Sequence, residues 1–252
     1  MKKLNYSRFG EGNRTIVLLH YFGGNAESWQ WVVRKLRKKF SVVVITLPGF
    51  GNTKAFDEPS IFAFANYINQ CIEDLALENY LLCGHGMSGK LILYAEQIAM
   101  KNKAKGLVLI APSPPTIEKM DQAEKDKMIP KPDRESAESH VENATYKMLR
   151  KNRYETAIAS QLQVDAGTRH WWLKKGMVDN ISERISGIDV PTFVICAKED
   201  AMVPIREIYD SVLPHLHRPR LIQLAKCGHL IPLEAPRRLS KRLVKIGNHI
   251  LD

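Results

Sequence analysis

The sequence has no long apolar segment. Nothing in its 252 residues approaches the roughly 18 consecutive apolar residues of a transmembrane helix. The amino-terminal stretch MKKLNYSRFGEG also lacks the apolar run that follows the lysines of a secretory signal. We therefore expect a cytoplasmic protein that has no membrane partner.

Cysteines and cofactor motifs are equally scarce. The four cysteines show no CxxC spacing, and two of them lie in apolar, strand-like runs, so buried free thiols are expected at Cys71, Cys83, Cys196 and Cys227. No metal-ligand cluster or nucleotide fingerprint appears, and the GFG of Gly49 to Gly51 predicts a turn rather than a phosphate loop. The sequence thus predicts neither a metal nor a cofactor.

Acidic residues are outnumbered, with 27 Asp and Glu against 37 Lys and Arg, which gives a net charge of +10. The excess is visible in RKLRKKF (34–40) and RRLSKRLVK (237–245). Both runs carry apolar residues at helical spacing, which favours solvated faces of amphipathic helices over a nucleic-acid interface. We expect no nucleic-acid partner, and nothing in the sequence indicates an oligomeric state.

Short apolar runs alternate with helix-length segments along most of the chain. Such alternation predicts a parallel sheet covered by helices on both faces. The predicted strands are TIVLLH (15–20), SVVVITL (41–47), YLLCGH (80–85), GLVLIAP (106–112), PTFVICAKED (191–200) and PRLIQLAKCG (219–228).

The stretch 113–188 breaks this rhythm. It has no convincing strand, and helical patterns occur in 135–150 and 153–164. We expect an α-helical cap at 113–188 over the carboxyl edge of the sheet, where open α/β sheets bind ligands. The core domain would then comprise 1–112 and 189–252.

Five motifs occur in a characteristic order: LLHYFGGNAESW, LPGFGNT, LLCGHGMSGK, VICAKEDAMVP and KCGHLIPLEAP. Together they resemble the α/β-hydrolase superfamily, in particular capped esterases and lactonases. The resemblance implies an α/β-hydrolase fold, with a mostly parallel central sheet, helices on both faces and a helical cap. It also implies a small, apolar, ester-like substrate.

The resemblance extends to most of the catalytic apparatus. His229 matches the family's base, Asp200 matches the acid that orients it, and the amides of Phe22 and Met87 match the oxyanion hole. The family's nucleophile elbow, G-H-S-M-G-G, reads G-H-G-M-S-G here, so Gly86 occupies the serine position. The catalytic triad is therefore expected to be incomplete.

Ser88 is a poor substitute for the absent nucleophile. Two residues along a helix correspond to about 200° of rotation, so Ser88 should face away from Gly86 and serve as a packed or capping hydroxyl. Its hydroxymethyl group is expected to crowd any side chain restored at Gly86. Glycine relieves the strain of the positive φ that this turn requires. Both a natural loss and an introduced exchange would produce this sequence.

Three aromatic residues are further candidates for substrate contact: Tyr21, beside the oxyanion loop, and Trp171 and Trp172 in the helical stretch. Packing of the cap against the core is the alternative interpretation of all three.

Three functions are compatible with these residues. The first is an esterase- or lactonase-type hydrolase, either inactive or using the His229–Asp200 pair to activate water. The second is a cofactor-free lyase or oxygenase that uses the same pair. The third is a non-catalytic protein that binds a small molecule in the capped pocket.

Overall fold

The structure is a computed structural model that describes residues 4–252. Within them one seven-stranded sheet forms the centre of the molecule. Its strands are β1 (Tyr6–Phe9), β2 (Thr15–Leu19), β3 (Ser41–Ile45), β4 (Tyr80–His85), β5 (Gly106–Ile110), β6 (Thr192–Ala197) and β7 (Arg220–Leu224). Strands β2 to β7 coincide with the six apolar runs, which confirms the predicted α/β-hydrolase fold.

The strand order is β1-β3-β2-β4-β5-β6-β7, and β2 to β7 pair in parallel. β1 is a seventh strand that the sequence patterns did not predict. It pairs antiparallel with β3, with Tyr6 opposite Ile45, and it is an exposed edge strand without an apolar run. Because β3 and β4 lie on opposite sides of β2, the order reverses between β2 and β4, which is where open α/β sheets bind ligands.

Helices cover both faces of the sheet. They are α1 (Gln30–Leu36), α2 (Ile61–Asp74), α3 (Met87–Ile98), α4 (Gln122–Met128), α5 (Arg134–Asn143), α6 (Lys151–Leu162), α7 (Ala166–Trp171), α8 (Ile205–Glu207), α9 (Ile231–Glu234) and α10 (Pro236–Ile250). Helices α2 and α3 pack on the face that carries Val17 and Leu19, whereas α1 and α10 pack on the face that carries Ile16 and Leu18. Each helix layer therefore buries one side of the alternating strand residues.

The segment between β5 and β6 contributes α4 to α7 and no strand. Side-chain caps begin several of these helices; Asp133, for example, accepts a hydrogen bond from the Ser136 amide at 2.8 Å. The segment bonds to loops at the carboxyl edge of the sheet, where the Asp165 amide donates to the Gly49 carbonyl at 2.8 Å. Across residues 4–252, every helix is too short or too polar to span a lipid bilayer.

Candidate active site

The turn after β4 holds Gly86 in a conformation that favours glycine. Its φ of 55° and ψ of −121° lead directly into α3. Three backbone hydrogen bonds fix it: the Gly86 amide donates to the Ile110 carbonyl at 2.9 Å, and the Gly86 carbonyl accepts from Gly89 at 2.8 Å and from Ser113 at 3.0 Å. The turn therefore has the sharp strand-to-helix geometry of a nucleophile elbow without a side chain at its apex.

The apex of this turn faces the imidazole of His229. A Cβ added to Gly86 would lie 3.3 Å from Nε2 of His229 and 3.2 Å from the Cβ of Tyr21. Any side chain at this position would thus begin in contact with the imidazole. The structure brings Gly86 and His229 together, as the motifs predicted.

Asp200 orients that imidazole. Its Oδ2 lies 2.9 Å from Nδ1 of His229, and its Oδ1 accepts the amides of Met202 and Val203, each at 2.9 Å. With Nδ1 donating to the carboxylate, the neutral ring presents the lone pair of Nε2 towards Gly86.

The pKa of His229 reflects opposing effects. Burial favours the neutral ring, but the negative charge of Asp200, its hydrogen bond and the charge of Glu118 outweigh burial. The pKa of His229 is consequently raised above its ordinary value of 6.5. Nε2 is therefore a more basic proton acceptor than an isolated imidazole.

The loop that carries His229 is held by the segment between β5 and β6. The His229 amide donates to the Ala144 carbonyl at 2.8 Å. Gly228 is packed so closely that an added Cβ would lie 2.6 Å from the Tyr146 amide nitrogen. The Glu234 carboxylate accepts the Gly228 and Tyr146 amides at 2.9 and 3.2 Å, which joins the two loops. These contacts fix the position of His229.

Phe22 and Met87 are the residues whose amides the motifs predict to form an oxyanion hole. Phe22 and Gly23 are the central residues of a turn closed by the Gly24 amide and the Tyr21 carbonyl at 2.9 Å, and the φ of 87° at Gly23 suits such a turn. Met87 is the first residue of α3, so its amide has no acceptor within the helix. Both residues line the cavity described next.

A cavity of about 760 Å³ adjoins this constellation. It is lined by the carboxyl-edge loops, including Tyr21, Phe22, Met87 and His229, by α4 to α6, and by residues 172–177 that follow α7. Tyr21 is buried, and burial raises the pKa of its phenol to about 12, which keeps the hydroxyl protonated.

The two tryptophans differ in position. Trp172 lines the cavity with its ring centroid 6.3 Å from that of Phe22. Trp171 does not line the cavity; its ring stacks on Phe64 of α2 at 4.9 Å. Its assignment as a substrate-binding residue is therefore corrected to a packing contact between α7 and the core.

Ser88 and His85 are both buried and turned away from the cavity. The Ser88 hydroxyl donates to the carbonyl of His20. No atom of Ser88 is among the three nearest neighbours of a Cβ added at Gly86. The nearest neighbours of a Cβ at Gly86 are thus Tyr21 and His229 rather than Ser88. Nε2 of His85 donates to the His229 carbonyl at 2.9 Å, and burial lowers the pKa of His85 well below its ordinary value.

The sequence profile described as "Alpha/beta hydrolase family" matches residues 16–242, most of the chain. The protein belongs to the alpha/beta hydrolase family.

Among curated relatives, this alpha/beta hydrolase is similar to the pimeloyl-[acyl-carrier protein] methyl ester esterases of Yersinia enterocolitica and Proteus mirabilis. Each is 32% identical, over 116 and 117 residues respectively. Each match covers 45% of this chain and 42% of the relative, so the similarity spans less than half of either protein.

Solved structures of other proteins share this fold over nearly the whole chain. An esterase from Exiguobacterium antarcticum has a TM-score of 0.87 at 17% identity and covers 98% of this chain and 96% of its own. A bromoperoxidase from Bacillus anthracis has a TM-score of 0.85 at 14% identity, with 98% and 95% covered. Similarities at this level of identity show the fold alone.

Glu118 is a buried ionisable residue of this hydrolase's cavity that sequence patterns did not identify. Its backbone is fixed by donation to the Met177 carbonyl at 2.9 Å, and its side chain lines the cavity. Burial raises the pKa of Glu118, while Ser113, Lys90 and His229 oppose the shift. No motif surrounds Glu118 in the sequence, so only the packing of its segment reveals it.

Metal-ligating clusters are absent from the part of the chain that the structure describes. The four cysteines are free and buried, as predicted. Burial raises the pKa of Cys83 above its ordinary value, which keeps this strand thiol protonated and unreactive.

Proposed function

We propose that this protein is an esterase-type hydrolase that acts on a small ester without forming an acyl-enzyme. The observation that carries this proposal is the 3.3 Å between Nε2 of His229 and a Cβ position at Gly86. The base faces a site where the family's serine would stand, and that site opens beside the cavity. A water molecule at this site would take the role of the serine hydroxyl.

The reaction then proceeds by general-base catalysis. Nε2 of His229 accepts a proton from water as the water oxygen attacks the ester carbonyl carbon. The amides of Phe22 and Met87 hydrogen-bond the oxyanion that forms. The intermediate collapses with cleavage of the bond to the alkoxy group, which takes the proton from His229, so that acid and alcohol are released. Positioned general-base catalysis contributes about 10²- to 10⁴-fold in rate.

The cavity lining supports a substrate with an apolar acyl group. Phe22, Trp172, Leu173 and Met177 provide apolar surface near the base. Charged residues at other parts of the lining, including Lys119, Glu124 and Lys127, suit a polar end of the substrate. The similarity to pimeloyl-[acyl-carrier protein] methyl ester esterases agrees with ester chemistry for this proposal.

The same proposal divides the chain into a core, 1–112 and 189–252, and a helical cap, 113–188. Its support is that residues of α4 to α6 and of the segment after α7 line the same cavity as Met87 and His229. In this role the cap shields the reacting carbonyl and sets the size of the acyl group.

The test is turnover of p-nitrophenyl esters of graded acyl length, together with reaction with a fluorophosphonate probe. Wild type should hydrolyse short esters and remain unlabelled. His229→Gln should remove the activity, whereas His140→Gln should retain it, because His140 lines the same cavity without an acidic partner in contact.

Three outcomes would overturn the proposal. Labelling of wild type would establish a covalent nucleophile. Ligand-dependent thermal stabilisation without turnover of any ester would indicate a binding protein. Loss of activity in both histidine variants, with both folded, would show that the imidazole of His229 is not the specific base.

A further inference from the structure

The net charge of the protein is concentrated in two segments that are distant in sequence. Five cations lie in 34–39 and five in 237–245, and neither segment contains an acidic residue. The other 27 Lys and Arg equal the 27 Asp and Glu, so these ten residues account for the whole net charge of +10. The remainder of the molecule is electrically balanced.

The fold brings the two segments together. α1 and α10 pack against each other on one face of the sheet, and the ring of Phe40 lies against Gly247, where an added Cβ would approach it to 2.7 Å. Val32 and Leu36 of α1 and Leu239 and Leu243 of α10 point into the sheet. The cations consequently point outward; those of this basic face are Arg34, Lys35, Arg37, Lys38, Lys39, Arg237, Arg238, Lys241, Arg242 and Lys245.

In the described residues, these cations lack direct contacts with carboxylates. Within residues 4–252, none of the ten forms a salt bridge, although ion pairs occur elsewhere on the surface, as between Arg134 and Glu155. Arg238 donates only to the backbone carbonyls of Ala225 and Lys226. Holding ten like charges on α10, on the end of α1 and on the turn that follows α1 is unfavourable, because each repels its neighbours. An anionic partner would remove this repulsion.

We infer that the basic face of α1 and α10 binds the surface of a membrane that contains anionic lipids. The face is formed by two helices lying on a sheet, and none of the large exposed apolar side chains belongs to α1 or α10. Protein interfaces need buried apolar anchors, and single-stranded nucleic acids need stacking aromatic residues. An anionic lipid surface needs neither, because juxtaposed Lys and Arg are attracted by charge alone.

The face is separate from the candidate active site. The cavity lining includes no residue of α1 or α10. The apolar sides of both helices are already buried in the core, so binding would be peripheral and reversible, without insertion. Neutralising this face should therefore alter membrane binding and leave ester turnover unchanged, which makes this inference independent of the proposed function.

The experiment is sedimentation of the full chain with vesicles. Vesicles of phosphatidylglycerol and phosphatidylcholine should bind the protein at low salt, and vesicles of phosphatidylcholine alone should not. Binding should disappear in 1 M salt, where the screening length falls to about 3 Å from about 10 Å at 0.1 M. Vesicle binding that persists at 1 M salt, or no binding to anionic vesicles at low salt, would refute the inference.

A matched pair of variants locates the interaction. Lys241→Gln with Lys245→Gln removes two charges from the exposed side of α10 and should lower the vesicle partition coefficient about thirtyfold. Lys101→Gln with Lys103→Gln removes two exposed charges from the loop before β5 and should leave it within about fivefold of wild type. Thermal unfolding verifies that both variants are folded. Equal losses in the two variants, or displacement from vesicles by DNA at a lower phosphate concentration than that of the lipid, would overturn the assignment.

Discussion

Restoring a serine at the elbow is the most direct probe of the site. In Gly86→Ser the new Cβ would start 3.3 Å from Nε2 of His229, so its hydroxyl can reach the imidazole by rotation about one bond. Asp200 already orients that imidazole, and the amides of Phe22 and Met87 flank the cavity. The substitution should complete the triad and open a covalent route to ester hydrolysis.

The structure also sets the stability cost of this change. A side chain at φ 55° is strained by about 1 to 3 kcal/mol, and Tyr21 and His229 must each yield by a few tenths of an ångström. Lower entropy of the unfolded chain offsets about 0.4 to 1 kcal/mol. The net loss is about 0 to 2.6 kcal/mol. For a domain of this size, such a loss lowers the melting temperature by at most roughly 10 °C.

Gly86→Ala is the matched control, because it carries the same backbone strain without a hydroxyl. Both variants should melt at similar temperatures, but only Gly86→Ser should react with a fluorophosphonate and show a burst with activated esters. Adding His229→Gln to Gly86→Ser should abolish labelling. A folded Gly86→Ser protein that stays inert, or wild type labelled at Ser88, would refute this account of the turn.

The other predictions concern titration. Asp200→Asn should lower the midpoint of the pH–rate profile, because Asp200 raises the pKa of His229 and the neutral ring is the base; an unmoved midpoint would exclude the pair. Glu118→Gln should move it in the same direction by less, measured on the same profile. Burial lowers the pKa of His20 to about 4. The free energy of unfolding of the wild type should therefore fall by up to about 3 kcal/mol as the pH falls from 6.5 to 4. His20→Gln should remove this part of the loss in urea unfolding, and an unchanged pH dependence would contradict it.

Much of the fold follows from local sequence patterns. The strands β2 to β6 are buried on both faces and read as nearly continuous apolar runs, so the sequence predicts them well. β7 is less buried than the others but keeps apolar residues along its length. β1 carries polar residues on an exposed edge, and its pairing with β3 depends on a neighbour that local pattern does not identify.

The site is only partly encoded locally. His229 and Asp200 stand in motifs at the ends of strands, and parallel strands bring such ends together, so their pairing follows from topology. Trp171 and Trp172 are adjacent, and a rotation of about 100° between neighbours sends one ring to Phe64 and the other to the cavity. Glu118 enters the cavity only because its segment packs there.

The geometry of the elbow does not depend on a nucleophile. The turn is fixed by the hydrogen bonds of the Gly86 amide and carbonyl to Ile110, Gly89 and Ser113, all of which are backbone contacts. The His229 loop is likewise fixed from outside the turn, through Ala144. Exchanging serine for glycine therefore removes one reacting atom and leaves the base and the amide donors in place. A site of this kind would keep the electrostatic part of the proposed catalysis, because that part resides in groups the exchange does not touch.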